Sequence, residues 1–308
     1  MTNQFSVTKR LSAALASAAA IALSFSVSPA FAGDPFRTSD ARDIGDNTEA
    51  AFEAIFKEGN YQEAKRYLSQ AEASEPNEPL AHAMRASLAY TEEDWNGLKT
   101  YATKTLESAE KLQRTDPLRG NLYTAVGNFL EGAYNFKEEG PIRSLAKLQQ
   151  VFKSLDQAKA IAPNDPELNL LTGFMDLMLA VNLPFSDASQ AIERLESNAA
   201  PNYVSYRGIA VGYRDLDQLP KALDYVDRAI ASAPSNPDLM YLKAQILAKQ
   251  KQYSESLKFF DRALAKRDQL LRNDVAQIVF EQCRAQSNMD SINRDCYAEL
   301  VKVKEGGN

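Results

Sequence analysis

Between Tyr206 and Asp268 the chain repeats its own pattern at a distance of 34 residues, and this period limits the fold more than any other feature. Ala222, Val226 and Ala229 run up to Pro234; 34 residues later stand Ser256, Phe260, Ala263 and Asp268, with only the proline lost. Tyr206, Ile209, Ala210 and Tyr213 precede the first set, and Met240, Lys243, Ala244 and Leu247 precede the second at the same offsets. Asp217-Gln218-Leu219 and Lys251-Gln252-Tyr253 separate the two halves, again in register. Apolar residues at i, i+3, i+4 and i+7 predict two amphipathic helices per unit. The small residues let the two helices approach closely, and Pro234 ends the second one. A single pair cannot bury its own apolar face, so neighbouring units must stack on it.

The stretch GNYQEAKRYLSQAEASEP supplies a third unit, with Gly59-Asn60-Tyr61 at the turn and then Ala64, Leu68, Ala71 and Pro76. A period of 34 with small-x3-aromatic-x2-small-x4-proline in its second half resembles the tetratricopeptide repeat (TPR) family. That resemblance implies an all-α, right-handed superhelical solenoid of about six TPR-like helical hairpins plus a C-terminal capping helix pair. The hairpins are read as 45–78, 79–117, 118–165, 166–202, 203–236 and 237–270, with the first and the last two the most regular. In 118–165 the second half, Val151, Leu155, Ala158 and Pro163, arrives about 12 residues late, after an insertion around 137–149 that Gly140-Pro141 interrupts. Residues 271–304 form the capping pair, its helices joined at Ser287-Asn288-Met289. Residues 33–44 are polar and read as a flexible mature N-terminus, and the last few residues as loose.

The first 32 residues have the three parts of an export signal. Lys9-Arg10 is the positive region, Leu11 to Val27 is apolar or small, and Ala30-Phe31-Ala32 fits a cleavage site. The general secretory route is the expectation, with no stable membrane anchor after cleavage. Loss of that segment takes the net charge from −6 to −8, which does not suit nucleic acid or an anionic membrane. Cys283 and Cys296 form a lone pair near one end; in an exported chain this points to a disulfide, with two free thiols as the alternative. His82 is the single histidine, read as a surface or groove residue, and no metal site or cofactor is expected. No nucleophile–base–acid set, phosphate loop or dinucleotide fingerprint is present, so a non-enzymatic protein is expected. The chain as a whole is also similar to exported TPR proteins of bacteria, cyanobacteria among them. This implies the periplasm, the thylakoid lumen or secretion.

In the family the first helix of each pair lines a concave groove that receives a partner peptide or helix. Carrying over the groove offsets gives Arg207, Val211 and Arg214 in 203–236, then Tyr241, Gln245 and Lys249 in 237–270. In 166–202 it gives Leu170, Phe174 and Met178, and in 118–165 Asn121, Thr124 and Asn128. The expected function is a scaffold or adaptor holding a protein partner's amphipathic, partly acidic segment. The alternative is a small-molecule or lipid binder with an apolar pocket around 168–183; Leu170, Phe174 and Met178 packing against 137–149 is the structural alternative.

Overall fold

Prolines and polar caps set most of the helix starts in the computed structural model, which describes residues 33–182 and 188–306. Residues 1–32, read above as an export signal, lie outside the described residues. Pro79, Pro117, Pro141, Pro166 and Pro237 each open a helix, where a missing N–H goes unnoticed. The Asn60, Asp94 and Asp116 side chains accept from the Glu63, Gly97 and Arg119 N–H groups. The result, among the described residues, is helical throughout, with no strand. The first hairpin is α1 (Asp46–Glu53), extended by a π-helical turn (Ala54–Glu58), with α2 (Tyr61–Ser74). Next come α3 (Pro79–Thr91) with α4 (Trp95–Leu112), and α5 (Pro117–Glu139) with α6 (Pro141–Ile161). Then follow α7 (Pro166–Asn182) with α8 (Ser189–Ser197), α9 (Asn202–Asp215) with α10 (Leu219–Ser232), and α11 (Pro237–Lys249) with α12 (Tyr253–Leu264). The last pair is α13 (Arg272–Asp290) with α14 (Cys296–Lys304).

The repeat positions that define the period are the ones that pack. Ala64, Leu68, Ala71, Ala222, Val226, Ala229, Ser256, Phe260 and Ala263 are all at most 1% exposed. The register also shows in the backbone: Gly59, Glu93, Asp217 and Lys251 hold the left-handed conformation at the turn between their helices, at φ of 64°, 61°, 59° and 62°. The late second half of 118–165 is absorbed by length. Helix α5 has 23 residues and α6 has 21, broken at Gly140 with φ 85°, so the extra residues prolong both helices.

Three sequence readings are corrected. Residues 33–44 are not loose: Phe36 and Ile44 are buried, and Phe36 meets Phe52 edge-on at 5.0 Å between ring centres. His82 is buried on α3 rather than at the surface, its Nε2 3.1 Å from the Pro76 carbonyl. Helix α13 continues through Ser287–Met289, where nothing breaks it; the turn comes later, at Ser291 with φ 59°, and Asp295 caps α14.

Cys283 and Cys296 are disulfide-bonded across that last pair with a Cα–Cα distance of 5.5 Å. Reduction is expected to lower stability by about 3 kcal/mol, the chain-entropy value for a loop of this size. Melting with and without reductant checks it, and amide exchange should speed up first in α13–α14; identical melting would show that the bond holds nothing the packing does not.

The solenoid closes on itself. The Tyr61 N–H donates to the Gln269 carbonyl at 2.9 Å, and the Asn236 side-chain amide to the Phe56 carbonyl at 3.1 Å. The Tyr61 hydroxyl donates to Asp238 at 2.5 Å, and the Asn273 amide to the Thr91 carbonyl at 2.9 Å. Gly59 is required at this seam twice over. It holds φ of 64°, and a Cβ there would lie 2.6 Å from both Asn236 Oδ1 and Pro237 Cδ.

A second set of long-range contacts fastens the N-terminal segment. Arg119, from the first turn of α5, is buried between Glu78 (2.8 Å) and Glu167 (3.1 Å) at the starts of α3 and α7. Tyr123 donates its hydroxyl to Glu167 at 2.5 Å. Arg42 reaches Glu167 at 2.9 Å, Asp165 at 3.0 Å and Asp116 at 3.0 Å, and Arg37 also pairs with Asp165. Acidic groups gather here because helix N-termini favour them; arginines from 37, 42 and 119 then hold the three helix starts together.

Candidate binding surfaces on the inner face

The odd-numbered helices line a common face of the molecule. Two hollows lie along it. One is a cleft of about 500 Å³ between α9, α11 and α13. The other is an apolar cavity of about 350 Å³ walled by α1, α3, α5, α7 and α9.

The cleft is built by side chains linked from helix to helix. Arg214 Nη1 donates to Gln245 Oε1 at 2.5 Å, and Gln245 Nε2 donates to Glu281 at 2.9 Å. Gln277 supports Glu281 at 2.8 Å, while Lys249 caps the Arg214 carbonyl at 3.1 Å. Arg284 stands over the Phe280 ring at 5.7 Å on the far wall. Burial, with the Glu281 carboxylate beside it, pushes the Tyr241 phenol well up, so it remains a donor. The cleft thus carries Arg214, Lys249 and Arg284 against Asp215 and Glu281, with Tyr253 and Phe280 as apolar surface.

The cavity takes aromatic walls from the N-terminal segment and α1 (Phe36, Phe52, Phe56), and aliphatic ones from the helices across from it, such as Leu80 and Val126. Phe174 reaches it because Gly208 leaves room; a Cβ on that glycine would lie 2.6 Å from the Phe174 ring.

The inner-face residues expected from the sequence separate accordingly. Arg214, Gln245 and Lys249 come together in the cleft, with Tyr241 hydrogen-bonded to Glu281 alongside. Arg207, Leu170 and Phe174 line the cavity, so Leu170 and Phe174 face α9 and the first hairpin. Val211 packs into the core. The Met178 side chain falls outside the described ones. Asn121 and Asn128 do not line either hollow: Asn121 accepts from Gln113, just past the end of α4, at 3.1 Å, and Asn128 from Lys147 of α6 at 3.3 Å. In α5 the inner positions are Tyr123 and Val126 instead. Among the described residues no group of three or more His, Cys, Asp or Glu is placed to hold a metal ion. No described helix is long and apolar enough to cross a membrane.

Stacked hairpins of this length, with a left-handed turn residue every 34 positions in the regular units, define a helical-repeat protein. Residues 208–270 match the tetratricopeptide repeat family model, and the same hairpin architecture continues on either side. Among solved structures it is similar to PilW, a widely conserved type IV pilus biogenesis factor, at 16% identity and a TM-score of 0.47, covering 73% of this chain and 93% of that one. It is also similar to the TPR2AB domain of yeast Sti1 in complex with an HSP90 peptide, at 16% identity and a TM-score of 0.29, covering 84% and 97%. No curated protein sequence matches the chain.

Proposed function

We propose that the protein is a non-enzymatic scaffold that holds a segment of a protein partner in the cleft between α9, α11 and α13. The observation that carries this is the Arg214–Gln245–Glu281 chain of hydrogen bonds, which joins three successive inner helices along one open surface. Lys249 and Arg284 suit acidic side chains on the partner, and Tyr253 and Phe280 suit its apolar ones. The leader pattern supports action outside the cytoplasm, in the periplasm or a thylakoid lumen.

The test is crosslinking affinity capture from an envelope fraction, comparing the native protein with the Arg214→Glu/Lys249→Glu variant by mass spectrometry. A protein recovered with the native form and depleted at least tenfold with the variant is the expected result. Equal recovery from a folded variant would place the partner elsewhere.

A further inference from the structure

The apolar cavity is separate from the cleft and has a chemistry of its own. Of the residues lining it, Arg207 alone is charged. Its guanidinium makes no hydrogen bond and no ion pair among the described residues, although Asp238 and Asp274 act on it electrostatically. Neither acid satisfies it. Asp238 is engaged by the Tyr61 hydroxyl at 2.5 Å. Burial, opposed by the Arg207 charge, raises the Asp238 carboxyl, and burial together with the Asp238 charge pushes Asp274 up to about 6; both acids act on Arg207 through space rather than by direct contact. Five guanidinium N–H groups in a planar fork are a ready site for a carboxylate.

Apart from Tyr123, whose hydroxyl is taken up by Glu167, the polar and apolar lining residues are segregated. Thr91, Tyr61 and Arg207 lie at the seam, where Asn273 and Asp238 meet the first repeats, and exposed Ser87 marks the mouth. Val126, Leu170, Leu171 and Phe174 form the other end, on α5 and α7. Apolar walls around empty space forgo dispersion contacts, and such cavities stay dry and take apolar ligands. A volume of about 350 Å³ is room for roughly a dozen groups of the size of a water molecule, at the ~30 Å³ a water occupies in the liquid.

We propose that this cavity binds an amphiphilic monocarboxylate of about medium-chain length, its carboxylate on Arg207 and its tail between α5 and α7. The site is a small-ligand pocket inside the scaffold, distinct from the surface that holds the protein partner.

Titration calorimetry with decanoate and its neutral counterpart decanol, each below the concentration at which it self-associates, tests the assignment. Decanoate is expected to bind the native protein, and Arg207→Met to weaken it at least tenfold while leaving decanol within twofold. Ala83→Phe, which fills the cavity from α3, is expected to abolish both, with circular dichroism and melting to show that the variant folds. If that variant does not fold, diffraction from crystals with 10-bromodecanoate locates the tail directly; bromine near Val126 and Phe174 is the expected result. No decanoate binding to the native protein, binding indifferent to Arg207→Met, or bromine outside the cavity would each overturn the proposal.

Discussion

Replacing Arg119 by methionine is expected to lower the stability of the protein by about 3–5 kcal/mol, the range for removing one partner of a buried ion pair. Its side chain is only 3% exposed, and the two carboxylates it joins, Glu78 and Glu167, are 8% and 0% exposed. Without the guanidinium, Glu167 keeps Arg42 and the Tyr123 hydroxyl, whereas Glu78 keeps only its own cap bond to the Leu80 N–H. Burial already raises the Glu78 carboxyl above its ordinary 4.5 despite Arg119. A raised carboxyl contributes stability that is full below the unfolded value and is lost as pH rises through the folded one. The deficit of the methionine variant should therefore grow as pH rises above about 4.5. Adding Glu78→Gln should recover part of it and flatten that dependence. Urea unfolding across this pH range measures both effects. A deficit under about 1 kcal/mol would mean that water reaches the carboxylates and replaces the arginine.

Gly59→Val is expected to destabilise by about 2–5 kcal/mol, through two additive sources. A non-glycine residue in the left-handed region costs about 1–2 kcal/mol, and overpacking a close contact about 1–3 kcal/mol. The contact is with Asn236 and Pro237 at the start of α11, so the damage should fall on the seam. Glu93 occupies the same turn position one repeat later, at φ 61°. Glu93→Gly should therefore be close to neutral, relieving the backbone and giving up only an exposed ion pair with Lys304 at 3.6 Å. Amide exchange should show the Tyr61 N–H losing protection in the valine variant, because its acceptor is the Gln269 carbonyl. Full protection there, with unchanged melting, would show that the seam tolerates a side chain at this position.

The hairpins were legible in the sequence because each one is a local pattern. Small and apolar residues spaced at helical intervals mark the packed face, and these are the residues found buried at Ala222, Val226 and Ala229. The meeting of Arg214 with Gln245 followed from the same register. Asn121 and Asn128 did not, because offsets taken from 34-residue units fail in a hairpin whose helices have 23 and 21 residues. There Lys147, in the second turn of α6, donates to Asn128 and holds it between the two long helices. The N-terminal segment misled through its polarity. Arg37 and Arg42 are polar by composition, yet their partners Asp165 and Glu167 stand 123 to 128 residues away. The cavity was hidden for a related reason: half of its aromatic wall comes from Phe36, Phe52 and Phe56, in the N-terminal segment and the first hairpin, far in sequence from α9. One signal was available: acidic residues at 78, 116 and 165, each just before a proline-led helix, with a lone arginine in the first turn of the middle one.

The closed seam bears on the order in which the molecule can be completed. An open array of hairpins can fold behind its own synthesis, each new pair settling on the one before. Here the pair made first has its partners at Asn236, Asp238, Gln269 and Leu270, which are made nearly last. Phe52 and Phe56 must wait, without their final surroundings, while some 200 residues emerge. The earliest segment is thus the last to be finished, and a nascent chain lacking its final hairpins would leave its beginning, rather than its end, unsettled.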